Sequence, residues 1–128
     1  MRNHYEKHVA PNLYSYLSDE DDETLFPMTQ QEYNEEANRL SKQEISTSDY
    51  SSEDNYIGFY GKDALNRPSI YKFDKKNSTL VIYYANELNA KTVSYYKMKT
   101  QNQKERYERL KRKHYIRELT MQDDLYNR

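Results

Sequence analysis

Two histidines stand four residues apart near the start of the chain, in the run His4-Tyr5-Glu6-Lys7-His8. An imidazole changes charge near neutral pH, so either side chain could give or take a proton in a reaction run at pH 7. On a helix this spacing puts the two rings on one stripe. The same spacing also forms half of a metal site, but the His-Glu-x-x-His form is absent and Lys7 beside the pair disfavours a cation. The plainer reading of the pair is two surface histidines. A second group lies far along the chain at Ser94, Tyr96 and the adjacent Lys97. Side chains alternate along a strand, so Ser94 and Tyr96 should emerge together, with Lys97 on the other face or at the edge. Two neighbouring hydroxyls could hold a phosphate, although Ser and Tyr are also ordinary on a half-exposed strand. RNA can be cut without a metal when three conditions hold. A base takes the 2′-hydroxyl proton, an acid protonates the leaving oxygen, and fixed donors or cations stabilise the charged transition state.

The elements that must position these groups change character along the chain. Residues 4–10 read as a short helix, because Tyr5 and Val9 share a stripe and Pro11 stops its continuation. Asp19-Glu20-Asp21-Asp22-Glu23 repels itself and reads as part of a solvated acidic loop over 18–28; mimicry of a nucleic acid is the sharper reading. Thr29-Gln30-Gln31-Glu32 has the capping-box form, with Met28 and Tyr33 placed as a hydrophobic staple. The helix it starts should turn Tyr33, Ala37 and Leu40 inward and fray near Gln43 or Glu44. Residues 46–54 are polar and aperiodic, a mobile linker on this reading. From Tyr56 the period changes to two, with strand-like runs at 56–60, 69–73, 79–84 and 91–96 separated by turn residues. Residues 100–119 contain good helix formers and no Gly or Pro, so a C-terminal helix is expected there. Its apolar positions Tyr107, Leu110, Tyr115, Ile116 and Leu119 do not form one clean stripe. The expected fold is therefore α+β, a single domain over 1–128 with N-terminal helices, a four-stranded antiparallel sheet and a basic C-terminal helix.

Composition narrows the function. The chain has 128 residues, 35% hydrophobic and 32% charged, with 15 Tyr, so much of the core should be tyrosine rings, a minority of which could stack bases. There is no cysteine, which excludes disulfides, thiolate nucleophiles and cysteine-ligated zinc. With only Gly58 and Gly61, neither a P-loop nor a dinucleotide-binding loop can be built. No run approaches the ~18 apolar residues of a membrane span and the start is too polar for a signal peptide, so a cytoplasmic setting, in a host or target cell, is expected. The net charge of −1 hides a division: residues 1–60 hold four Lys/Arg against thirteen Asp/Glu, and residues 61–128 hold sixteen against eight. Either the halves attract each other or the basic half faces a polyanion. Lys97, Lys99, Arg109, Lys111, Arg112 and Lys113, with Lys7 from the opening segment, are the candidate RNA contacts.

Taken in order, these motifs resemble a known group of domains. His4-Tyr5-Glu6-Lys7-His8-Val9 is similar to the His-x-x-Lys-His opening of the nuclease toxin domains that share a fold with barnase, EndoU, colicins E5 and D, and RelE. The later motifs of that group have counterparts in Glu32-Tyr33, Tyr71-Lys72-Phe73-Asp74, the run 80–84 and Ser94-Tyr95-Tyr96-Lys97. The opening also looks like that of contact-dependent toxins with a ribonuclease A-like fold. The resemblance spans roughly residues 3–98. It implies His4 as the main acid/base, His8 as a helper, Lys72 as a phosphate-binding cation, and Ser94 and Tyr96 as donors. Lys72 replaces the usual Arg and Ser94 the usual Thr, and no Pro follows Lys97; lysine lacks the bidentate fork of arginine. The implied activity is a metal-independent ribonuclease or toxin domain without a cofactor, acting on RNA, tRNA included, and countered by a cognate antidote. The alternative is a non-catalytic, phage-type inhibitor or adaptor of the same fold that binds a host protein or nucleic acid.

Overall fold

A computed structural model describes residues 23–24, 29–85 and 93–123. The helix expected over 4–10, with His4, Lys7 and His8, lies outside the described residues, as does most of the 18–28 loop. The class is α+β with an antiparallel sheet, as the change of period at Tyr56 implied. In chain order the elements are β1 (Glu23–Thr24), α1 (Gln30–Ser41), β2 (Tyr56–Lys62), β3 (Pro68–Asp74), β4 (Thr79–Tyr84), β5 (Val93–Met98), α2 (Gln103–His114) and β6 (Tyr115–Arg117). The sheet has six strands in the order β1-β5-β4-β3-β2-β6, not four. The four expected strands form its centre, and the two additions are very short strands at its edges.

Helix α1 starts where the capping box placed it. The Thr29 hydroxyl accepts from the Glu32 amide at 3.1 Å and the Glu32 carboxylate accepts from the Thr29 amide at 3.0 Å. These bonds hold the Glu32 carboxyl below its usual range. Tyr33, Ala37 and Leu40 are buried as their spacing required. Thr29→Ala should cost about 1 kcal/mol, the usual worth of such a cap. A urea or thermal midpoint unchanged by this substitution would contradict that assignment.

The register explains what each strand buries. Lys72 lies opposite Val81 and Val81 opposite Tyr95, so these three share the face that packs on α1, with Tyr33, Ala37, Leu40, Ile70 and Tyr83. Ile57, Phe59, Tyr71, Phe73, Leu80, Tyr96 and Met98 share the other face, where Tyr107 of α2 packs. A sheet covered on both faces needs strands that are apolar throughout rather than alternating. Accordingly β3 is buried at every residue after Pro68.

Tyrosine does much of this work, with Tyr33, Tyr71, Tyr83, Tyr95, Tyr96 and Tyr107 all in the core. Their hydroxyls find partners inside it. Tyr33 accepts from the Tyr95 amide at 3.1 Å, on the edge of β5 that β1 leaves uncovered. Tyr107 donates to the Ser48 carbonyl at 2.8 Å. Burial pushes the Tyr95 hydroxyl up to about 12.

Two expectations change here. The C-terminal helix ends at His114 rather than 119, and Tyr115–Arg117 pairs antiparallel with β2. Residues 46–54 carry no helix or strand, yet they are pinned rather than loose. The Thr47 carbonyl accepts from the Gly58 amide at 3.2 Å, and Ser48 donates through its amide and its hydroxyl to the Glu118 carboxylate. Lys75 donates to the Tyr50 and Ser52 carbonyls at 3.2 and 2.8 Å. The segment lacks periodicity because its bonds run to distant elements.

Candidate functional site

The expected donors lie together and the expected cation lies apart from them. Ser94 pairs across the sheet with Ile82 and Tyr96 with Leu80, so both belong to the face that carries α2. Ser94 is half-buried, whereas Tyr96 is only 7% exposed and belongs to the core. Lys72 is on the opposite face and 1% exposed. Its ammonium donates to the Ser41 carbonyl at 2.6 Å and the Gln43 carbonyl at 2.8 Å, and it lies 5.7 Å from the Tyr83 ring. These carbonyls are at and just beyond the C-terminus of α1, where the helix dipole favours a cation. The resemblance implies a phosphate-binding role for Lys72, whereas in this fold its ammonium caps a helix inside the protein. His4 and His8 lie outside the described residues.

The cations proposed for RNA divide in the same way. Lys99, Arg109, Arg112 and Lys113 are exposed. Lys111 is half-buried, donates to the Ser48 carbonyl at 3.3 Å and lies 5.4 Å from the Tyr115 ring, so it also holds α2 to the 46–54 segment. Lys97 alternates with Tyr96 and therefore belongs to the α1 face. Lys7 is not among the described residues.

Ser94 opens into a cleft of about 260 Å³, shared with Asp63, Arg67, Tyr71, Tyr84 and His114. Three elements build it: the turn between β2 and β3, the adjoining faces of β3 to β5, and the last turn of α2. Asp63 organises the hairpin end. One carboxylate oxygen accepts from the Leu65 and Arg67 amides at 2.9 and 2.8 Å, and the other accepts from Arg67 Nε at 2.8 Å. Burial works against the charged form of Asp63, but these donors and the Arg67 charge hold its carboxyl below the usual range. Asn66 takes a positive φ of 65° to close the turn. Asn tolerates that conformation well. The Arg67 guanidinium lies 4.3 Å from the centre of the Tyr84 ring.

His114 stacks on Tyr71, with ring centres 5.6 Å apart and planes 18° off parallel. Burial and the neighbouring Lys113 pull its imidazole below the ordinary histidine range, opposed by the nearby Lys62 carbonyl and by Asp63. The same carbonyl accepts the Tyr71 hydroxyl at 2.8 Å. An imidazole held toward its neutral form keeps one ring nitrogen as an acceptor. Sequence reasoning missed Asp63, Arg67 and His114. Asp63 and Arg67 fell in a stretch read only as a turn, and His114 among the basic residues of a helix. The one available signal was an acid and an arginine four apart across that turn.

Among the described residues, no group of three or more His, Asp or Glu side chains could hold a metal ion, and no helix is long and apolar enough to cross a membrane. The chain matches no protein-family model, no curated protein and no solved structure.

Proposed function

We propose that this domain binds RNA and cleaves it without a metal, using the RNA's own 2′-hydroxyl as the attacking group. The observation that carries this reading is a shared face. Ser94 opens on the side of the sheet crossed by α2, whose exposed surface bears Arg109, Arg112 and Lys113. Charge able to hold a polyanion and a hydroxyl able to donate to a phosphate therefore lie on one side of the molecule. A cytoplasmic setting and a cognate antidote are part of the same proposal. The test is a gel assay of total RNA and tRNA with purified protein in EDTA. Cleavage leaving a 2′,3′-cyclic phosphate supports the reading, and intact RNA at high enzyme concentration sinks it.

A second reading, a non-catalytic inhibitor or adaptor that binds a host protein or nucleic acid, is favoured by the burial of Lys72 and Tyr96. Both groups serve packing, as they would in a protein that keeps a nuclease-like sheet for binding alone. The two readings agree on α2 if the partner is RNA. Reversing Lys111, Arg112 and Lys113 to Glu should then weaken affinity for all RNA sequences alike. Affinity should also fall steeply with salt, because each neutralised phosphate releases counterions. Filter binding at several salt concentrations reads both effects. An unchanged affinity in the triple variant would assign this helix to folding or to a protein partner.

A further inference from the structure

We infer that the cleft between the β2–β3 turn and the end of α2 is a ribonucleotide site, in which Arg67 holds a backbone phosphate and His114 accepts the 2′-hydroxyl proton. The inference rests on the proposal that the domain acts on RNA, and gives that activity a location among the described residues. Four observations converge on it.

The first is the fixing of Arg67. Asp63 engages its Nε at 2.8 Å, and the Tyr84 ring lies 4.3 Å from its guanidinium carbon. Among the described residues, no acceptor engages its two terminal amino groups, which leaves a two-donor fork for a phosphate. The second is that both Asp63 oxygens already accept from two amides and from Arg67 Nε, so the carboxylate does not occupy the terminal amino groups of Arg67. The third is the state of His114. Stacked on Tyr71 among the residues that line the cleft, it sits at the helix–strand junction and, held toward its neutral form, has an acceptor nitrogen. The fourth is size: about 260 Å³ is just below the range of ordinary small-ligand pockets, which suits one nucleotide unit of a chain rather than a folded RNA.

The chemistry balances without a co-reactant. The 2′-oxygen passes its proton to His114 and bonds to phosphorus, and the bond from phosphorus to the 5′-oxygen breaks. The products are a 2′,3′-cyclic phosphate and a 5′-hydroxyl, whose proton comes from water, while the imidazolium returns its own proton to solvent. Arg67 and the Ser94 hydroxyl face the charge that develops on the phosphate oxygens.

The probe is a 2′-O-methylated RNA dinucleotide, which has one phosphodiester and no attacking hydroxyl. Titrating it into the folded protein should shift the His114 ring resonance in NMR spectra and raise the pH midpoint of that ring, because a nearby phosphate favours the imidazolium. Its affinity should rise as pH falls through the His114 titration. The charges facing this ring are Lys113 on α2 and Asp63 and Arg67 on the hairpin. Arg67→Met should weaken probe binding by about tenfold or more, the worth of a charge-assisted pair of bonds. His114→Asn should slow RNA cleavage by about a hundredfold or more, the scale of a positioned proton acceptor.

If wild-type protein cleaves RNA in EDTA and His114→Asn cleaves equally well, this site is wrong and the ribonuclease reading stands. If RNA stays intact but the probe moves His114, the cleft is a nucleotide site and the catalytic reading fails. If RNA stays intact and the probe leaves His114 unmoved, both fail.

Discussion

Tyr107→Ala is expected to destabilise the domain by about 3–5 kcal/mol, the range for deleting a large buried aromatic. That is a large part of the ~5–15 kcal/mol that holds a typical domain together. Tyr107 is fully buried, packs on Phe59 and Phe73 of the sheet and on Tyr50, and donates its hydroxyl to the Ser48 carbonyl. It is thus the main contact by which α2 covers the sheet. Tyr107→Phe should cost only ~1 kcal/mol, because the ring stays and one hydrogen bond is lost. Urea unfolding of the two variants separates packing from hydrogen bonding. Because α2 ends at His114, the alanine variant should also lose the shape of the cleft, seen as loss of probe binding at temperatures where it is still folded.

The second large effect is expected at Lys72, and it concerns stability. Lys72→Met keeps most of the side-chain volume and removes the ammonium, so the Ser41 and Gln43 carbonyls each lose a donor in the interior. The Ser41 carbonyl keeps the Tyr83 hydroxyl at 3.3 Å, while the Gln43 carbonyl loses its lysine donor. An acceptor deprived of its donor costs ~1–3 kcal/mol, and a loss in that range is expected. If the proposed ribonuclease reading holds, the folded fraction should match wild type in RNA binding and cleavage, since Lys72 faces α1 and the cleft opens on the other side. A large drop in cleavage with unchanged stability would restore the phosphate-binding role implied by its motif.

These residues also show what a sequence can convey. The start of α1 was legible because a capping box is local: Thr29 and Glu32 satisfy each other whatever the rest of the chain does. The four central strands were legible from their composition and turn residues. The face of each strand was not, because it depends on register. The four residues 75–78 between Asp74 and Thr79 set Lys72 opposite Val81, and a slip of one residue would turn every side chain of a strand to the other side. Strand β6 was hidden because Tyr115, Ile116 and Arg117 follow good helix formers without a Gly or Pro. Pairing with β2 overrides local preference there. That switch also explains why Tyr107, Leu110, Tyr115, Ile116 and Leu119 made no single stripe: the first two belong to a helix, and the next two to a strand. The cleft was unreadable because Arg67 and His114 come from a turn and a helix end that meet only after the chain has folded.

The passage from α2 into β6 without a loop bears on how the domain is made. At Gly61 a side chain would meet the His114 carbonyl, 2.3 Å from where its Cβ would lie, so the helix end sits directly on β2. β2 gains its second neighbour only when 115–117 arrive, and the bonds from Ser48 to Glu118 span 70 positions. Contacts so distant in sequence form late, since closing the long loop between them must be met before they stabilise anything. On a translating ribosome the hairpin bearing Arg67 would be finished well before His114 is added. A nascent chain stopped before residue 114 should therefore carry the central strands without the cleft that His114 helps to line.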